Sequence, residues 1–242
     1  MARGPAYQEV PLRVSYSQWE RQEGDCATEG SQNCVTVRLR SPEAQGGAPA
    51  LRESLSAYVH SYMLQAFHGL MPDRPARTSL DSVISAFFSD YHRQRAMFPE
   101  AALPWGVEIE GEVVHISEEV VTLRMIHREA LGDTSPNQWT RYAMFDRGTG
   151  RTLTLEDLTK DTGRVTQVAE TYFRRYHHLA PEADLRAAGF TFPAGRFRLT
   201  DNLGLTHTGL VIHYDAYEIA PPDLGPTTLI IPPQALGGLL LY

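Results

Sequence analysis

The stretch that most constrains this fold lies near the C-terminus, in residues 210–233. Val211, His213 and Asp215 alternate with Ile212 and Tyr214, a period of two that predicts a half-buried strand. The prolines and glycine of residues 221–226 predict a turn, because proline fixes its own φ and restricts the residue before it. The apolar run at 229–231 predicts a strand covered on both faces. The stretch is therefore expected to form strand, bend, turn and strand, and it contains no catalytic motif.

Helical and strand periods follow one another along the rest of the chain. Apolar stripes and capping residues predict helices over residues 50–70, after Thr78 or Ser79, over 162–179, and from Pro181 to Gly189. Period-two alternation predicts strands at 9–20, 34–40, 152–155, 190–199 and 205–215, and a three-stranded meander within 105–147. The order predicts an α+β fold of antiparallel sheets with helices packed on one face. We expect two intimately packed subdomains, residues 1–145 and 146–242.

The two cysteines, Cys26 and Cys34, flank a short polar loop between two predicted strands. Their spacing predicts a disulfide that closes a hairpin, since a zinc site would need further Cys or His residues nearby. A disulfide implies an oxidising compartment, so we expect an extracytoplasmic protein, in the periplasm or at the cell surface. No secretory signal follows Met1, and we expect a precursor whose signal or lipoprotein leader has been removed, with a lipid anchor in the second case. The alternative is a cytosolic protein with two incidental thiols.

Composition narrows the choice of partner. The net charge of −7 and the lack of a basic stripe argue against nucleic-acid binding. Lys160 is the only lysine among 22 basic residues, so 21 are arginines. A GC-rich genome explains this bias, and the alternative is a surface built for bidentate carboxylate or sugar contacts. No apolar run approaches the length of about 20 residues that a transmembrane helix needs.

Standard catalytic motifs are missing, and no cofactor or metal site is predicted. Glu108, Glu110 and Glu112 share one face of a predicted strand, a geometry that paired carboxylates in glycoside hydrolases can use. A solvated strand face explains the same pattern. The nine histidines are dispersed along the chain. We therefore assign no catalytic residue.

Loops with apolar residues are the better binding candidates, because ordered loops on a rigid sheet often carry binding residues. The first candidate pair is Asn137 and Trp139, which follow a polar loop. The second group is Pro222, Asp223 and Leu224, in the proline-rich turn. Trp139 has the alternative interpretation of a core residue.

Residues 144–158, 197–201, 217–221 and 225–226 together resemble a bacterial envelope domain of unknown function. That domain forms the extracellular, lysozyme-binding part of the RsiV anti-sigma factor and also lies beside some peptidoglycan deacetylase domains. The upstream helices and meander resemble its usual N-terminal companion domain. Two positions depart from the family. Residues 132–135 replace a Gly-Gly-Ala-His loop, and Pro222 replaces a usual tyrosine, so the ligand is expected to differ if these loops bind it.

The resemblance implies a non-enzymatic binding module that recognises a cell-envelope ligand, either a protein such as lysozyme or a peptidoglycan fragment. One alternative is a cell-wall glycan hydrolase or deacetylase-like enzyme. The other is a structural accessory domain of a lipoprotein. A sigma-factor-binding segment and a deacetylase domain are not recognisable in the sequence, so neither of those named activities carries over.

Overall fold

A computed structural model describes residues 11–28, 31–75, 77–99, 103–132 and 136–241. The strands in these ranges are β1 (Arg13–Gly24), β2 (Cys34–Gln45), β3 (Trp105–Ile116), β4 (Val120–Leu131), β5 (Asn137–Asp146), β6 (Thr152–Leu153), β7 (Leu203–Thr206), β8 (Gly209–Tyr214) and β9 (Thr227–Ile231). The helices are α1 (Pro49–Leu70), α2 (Leu80–Met97), α3 (Leu155–Leu158), α4 (Thr162–Tyr176) and α5 (Pro233–Leu236). Within these ranges no helix has both the length and the apolarity to cross a membrane. The predicted strand at 9–20 begins outside them.

Two sheets carry the fold. The first has six strands in the order β1-β2-β3-β4-β5-β6, and the second has three in the order β7-β8-β9. Neighbouring strands are antiparallel except β2 and β3, which are parallel. This pair departs from the predicted antiparallel sheets, because the long connection through α1 and α2 supplies the crossover that parallel neighbours need. The predicted α+β class is confirmed, while the boundary between residues 145 and 146 stays a prediction.

The predicted disulfide is present and closes the β1–β2 hairpin. Cys26 and Cys34 have an S–S distance of 2.08 Å and a Cα–Cα distance of 4.8 Å. Cys34 is the cross-strand partner of Gly24, so the bridge ties the loop at the end of the ladder. The two longest predicted helices also form where their apolar stripes indicate. Their buried residues face the first sheet and make one core with its inward side.

One end of the first sheet lies between two cores. Along β4, Val121 and Leu123 belong to the core under α1 and α2, whereas Val120 belongs to the core of the second sheet. On β5, Phe145 belongs to the core under α1 and α2, and Met144 belongs to the core of the second sheet. Alternate residues of a strand point to opposite faces, so both faces are covered here. The four consecutive buried residues from 120 to 123 follow from this packing.

The second sheet corrects two expectations about the C-terminal stretch. All six residues of β8 are buried, although alternation predicted a half-buried strand. Its Leu210 and Ile212 face the second core, while its other face is covered by the first sheet, where the ring of His213 lies 6.4 Å from that of Tyr142. The single strand predicted at 205–215 is in fact the hairpin β7–β8. Residues 207 and 208 form the turn, and Gly209, the first residue of β8, has a φ of +133° that most side chains avoid.

The segment between α4 and β7 contradicts two further predictions. Residues 181–189 form turns rather than a short helix, and residues 190–199 form no strand. Phe190, Phe192 and Phe197 instead surround Phe173 of α4, with ring centroids 4.9, 5.3 and 5.2 Å away. These aromatic contacts replace a hydrogen-bonded ladder. The predicted strand at 152–155 shortens to β6, because Thr154 and Asp157 form a capping box that starts α3.

Candidate functional site

Strand β5 is the meeting point of the two sheets. On its outer side β6 pairs only with Met144 and Phe145. Beyond β6, the Asn202 side chain makes the hydrogen bonds that a neighbouring strand would make. Its Oδ1 accepts the Tyr142 N–H at 2.8 Å, and its Nδ2 donates to the Thr140 carbonyl oxygen at 2.6 Å. The Thr140 N–H donates to Asp215 Oδ1 at 2.8 Å. Side chains of the C-terminal region thus satisfy the backbone of an edge strand.

A buried histidine positions Asp215 in turn. His213 Nε2 lies 3.1 Å from Asp215 Oδ1, and its Nδ1 lies 2.8 Å from the Thr228 hydroxyl. The side chains of His213 and Asp215 are 6% and 11% exposed, so the contacts are shielded from water. This network holds β5 against β8 and fixes the part of β5 that precedes Thr140. The candidate residues Asn137 and Trp139 lie in that part.

The Trp139 ring packs against the ring of a histidine. Trp139 and His127 are cross-strand partners on β5 and β4, so their side chains share one face of the sheet. Their ring centroids are 5.1 Å apart at an interplanar angle of 30°. His127 is 6% exposed, whereas Trp139 is 36% exposed. The indole is therefore neither a core residue nor a loose surface residue, because one of its faces is supported by protein.

Glu129 and Asn137 form the next cross-strand pair on the same face. Burial raises the pKa of Glu129, and a hydrogen bond from Asn137 partly opposes this effect. Burial lowers the pKa of His127 to about 4. Glu129 Oε2 lies 3.3 Å from His127 Nε2, but without the geometry of a hydrogen bond. At neutral pH the imidazole is therefore neutral, and the contact is not an ion pair.

These four residues, Asn137, Trp139, His127 and Glu129, form what we call the Trp139 patch. It offers an aromatic ring beside an amide and a carboxyl group, a combination that can stack on a ligand and fix its orientation by hydrogen bonds. Asn137 and Trp139 were predicted from the sequence, whereas His127 and Glu129 were not. The signal was present in the alternation of β4, which places His127 and Glu129 opposite them once the register is known.

The second predicted group lies elsewhere in the fold. Pro222, Asp223 and Leu224 form a 3-10 turn in the connection from β8 to β9, and all three are exposed. The connection begins at Asp215, which is bonded to Thr140, the neighbour of Trp139. The predicted turn is confirmed, but its role in binding stays a prediction. Residues 133–135 of the loop before Asn137 lie outside the described residues.

The carboxylates of β3 are held by arginines. Arg128 Nη1 lies 2.6 Å from Glu110 and 3.2 Å from Glu108, and Arg124 Nη2 lies 2.5 Å from Glu112. All five side chains share the outer face of the first sheet, away from α1 and α2. This charge ladder gives the glutamates a structural role. Across the ranges that the structure describes, no group of three or more His, Cys, Asp or Glu residues could hold a metal ion.

One family model matches part of the chain. Residues 156–234 match the family described as a protein of unknown function (DUF3298). This segment runs from α3 to α5 and contains the second sheet, but the Trp139 patch lies outside it. No match was found among curated proteins.

Two solved structures are similar over nearly the whole chain. A DUF3298 family member from Bacteroides fragilis has a TM-score of 0.70 and 18% identity, with 96% of this chain and 94% of that chain covered. A DUF3298 family protein from Pseudomonas aeruginosa has a TM-score of 0.64 and 21% identity, with 96% and 95% covered. At these identities the likeness shows the fold alone.

Proposed function

We propose that this chain is a non-enzymatic binding module that works outside the cytoplasm and recognises a cell-envelope ligand at the Trp139 patch. The observation that carries the proposal is the packing of the 36%-exposed Trp139 ring, tilted by 30°, against the buried ring of His127. A ring that is already immobilised loses little conformational entropy when a ligand covers its free face. The disulfide supports an oxidising compartment.

A glycan fits the patch better than a protein surface does. The apolar face of a sugar ring can lie on the indole, while Asn137 and Glu129 offer hydrogen-bond partners for its polar rim. A peptidoglycan fragment is therefore our preferred ligand. Recognition of a protein such as lysozyme is the competing outcome, and it rests on the resemblance to the RsiV ectodomain. The Pro222–Leu224 turn belongs to the proposal as a second contact region.

Calorimetric titration with soluble muropeptides and, separately, with lysozyme tests the proposal. We expect Trp139→Ala to weaken muropeptide binding by at least about tenfold, as is usual for a central aromatic contact. Trp19→Ala is the matched control, because Trp19 is 41% exposed on β1 and lies outside the patch. Leu224→Ala reports on the turn. If wild type and Trp139→Ala bind both ligands with equal affinity, the Trp139 patch is not the binding site. If wild type binds lysozyme but no muropeptide, the ligand is a protein and not a peptidoglycan fragment.

A second candidate function is hydrolysis of cell-wall glycan. One observation favours it: Glu129 is a partly buried carboxyl group of raised pKa beside His127, as expected of a general acid. Release of reducing ends from peptidoglycan by wild type, with Glu129→Gln inactive, would support the enzyme. No turnover by wild type leaves binding as the function.

A further inference from the structure

A cleft lies where the two subdomains meet. Its volume is about 680 Å³, and its walls come from α1, β5, β6, α3, α4 and the segment 197–203. This volume is within the range of small-ligand sites, roughly 300–1,000 Å³. The cleft is lined by residues from both faces of β5, so it extends around the edge of that strand. The Asn202 side chain binds the backbone of β5 at the same edge.

Two arginines on the cleft wall lack a side-chain hydrogen bond or ion pair within the described part of the chain. Arg141 and Arg198 make no side-chain hydrogen bond or ion pair with any residue that the structure describes. The contrast is with Arg128, which binds Glu108 and Glu110. Arg141 lies near Tyr58, where its charge partly offsets the rise in the pKa of Tyr58 that burial causes. Each free guanidinium presents a planar set of N–H donors that matches a carboxylate.

The same cleft contains two carboxylates without a described ion-pair partner, Glu156 and Asp201. A ligand bearing only negative charge would meet repulsion from both. A ligand with an ammonium group as well as carboxylates would find a partner for each charge. The Tyr58 and Thr152 hydroxyls, which also line the cleft, add neutral hydrogen-bonding groups.

We propose that this cleft binds a short peptide that carries both carboxylate and ammonium groups, with Arg141 and Arg198 binding the carboxylates. Glu156 and Asp201 bind the ammonium group. The proposal stands apart from the Trp139 patch, since neither Trp139 nor its three companions line the cleft.

The test is calorimetric titration of the full chain with the unblocked tripeptide Ala-Glu-Lys, which carries two charges of each sign. The matched analogue acetyl-Ala-Gln-Gln-amide has no charge and is expected not to bind. We expect Arg141→Gln and Arg198→Gln each to weaken binding of Ala-Glu-Lys by about tenfold or more, as for loss of a charge-assisted hydrogen bond. Arg196→Gln is the control, because Arg196 is exposed in the same segment but does not line the cleft.

Several outcomes would overturn the assignment. One is unchanged affinity in the double variant Arg141→Gln/Arg198→Gln, and another is no binding of Ala-Glu-Lys by wild type. Loss of peptide binding in Trp139→Ala would move the site to the patch. Unchanged affinity in Glu156→Gln/Asp201→Asn would show that these carboxylates do not bind the ammonium group. Both arginines are exposed, so the variants are expected to fold, and far-ultraviolet circular dichroism checks this.

Discussion

Asn202 donates a 2.6 Å hydrogen bond from its side-chain amide to the carbonyl oxygen of Thr140. The amide also accepts the N–H of Tyr142, and the whole residue is buried. One side chain thus pairs with β5 as a strand would, at the point where β6 has ended. A buried edge strand would otherwise leave unsatisfied backbone groups. The contact therefore joins the first sheet to the C-terminal region by polar bonds as well as by apolar packing.

Asn202→Leu is expected to destabilise the protein strongly. The side chain of leucine is similar in size but leaves the Thr140 carbonyl and the Tyr142 N–H without partners, at about 1–3 kcal/mol each. We expect a total loss of about 2–6 kcal/mol in the free energy of unfolding, measured by urea denaturation. Gln94→Leu on the exposed side of α2 is the control and should change it by less than about 0.5 kcal/mol. Equal losses in the two variants would contradict this account of the β5 edge.

His127 is expected to make stability fall in mild acid. Its folded pKa of about 4 lies below the ordinary value of 6.5, so between these values the unfolded chain binds more protons than the folded one. Stability from His127 is therefore complete above pH 6.5 and is lost as the pH falls towards 4. The lowering of the pKa from 6.5 to about 4 corresponds to about 3.5 kcal/mol of stability.

Urea denaturation at a series of pH values checks this expectation in wild type and His127→Gln. The variant removes the titrating group, so its stability should fall less between pH 6.5 and 4. Glu129 acts in the opposite sense. Burial raises its pKa, so its contribution is full below the ordinary pKa of 4.5 and is lost as the pH rises through the raised value. Parallel pH profiles of wild type and His127→Gln would show that His127 is not buried as a neutral ring.

The disulfide should contribute measurably to stability without being needed for the fold. Cys26 and Cys34 are eight positions apart, and closing so short a loop restricts the unfolded chain by about 2.5 kcal/mol. We expect Cys26→Ser/Cys34→Ser to lose about that much and to keep its circular dichroism spectrum. Addition of a reductant should destabilise wild type similarly and leave the double variant unchanged. A reductant effect on the double variant would point to another cause.

Gly209 should be far less replaceable than Gly225, although both have positive φ. A Cβ at Gly209 would lie 2.1 Å from the Ile231 carbonyl oxygen, whereas a Cβ at Gly225 would meet nothing within 4 Å. We expect Gly209→Ala to cost more than about 3 kcal/mol, because β8 and β9 would have to separate. Gly225→Ala should cost about 1–3 kcal/mol for backbone strain alone, because its φ of 65° and ψ of −168° fit glycine best. Thermal unfolding of both variants measures the difference, and similar midpoints would contradict the close approach.

Sequence patterns predicted the structure correctly where it depends on residues close together in the chain. The apolar stripe of α1 predicted a long helix within one residue of its true start, and the cysteine spacing predicted the bridge. The patterns failed where distant packing decides. Residues 190–199 were predicted to form a strand, yet Phe190, Phe192 and Phe197 surround Phe173 in an irregular segment. Local spacing cannot show whether an aromatic ring faces a ladder partner or a helix.

Only half of the Trp139 patch could be predicted from the sequence. Its Trp139 and Asn137 stood out as polar-loop neighbours, but His127 and Glu129 became visible only through the register of β4 against β5. The proline-rich turn at 221–226 was predicted correctly, because proline and glycine restrict their own backbone. The burial of β8 on both faces was not, because it depends on a second sheet packing against the first.

The sequence by itself determined the α+β class, the main helices, the meander and the disulfide, because side-chain period and residue chemistry act over short separations. Only the tertiary structure decided that β4 and β5 separate two cores, and that Asn202 and Asp215 satisfy the edge of β5. It also decided that Trp139 rests on His127. These relationships join residues far apart in the chain, where the free energy of burial, rather than local propensity, selects the partner.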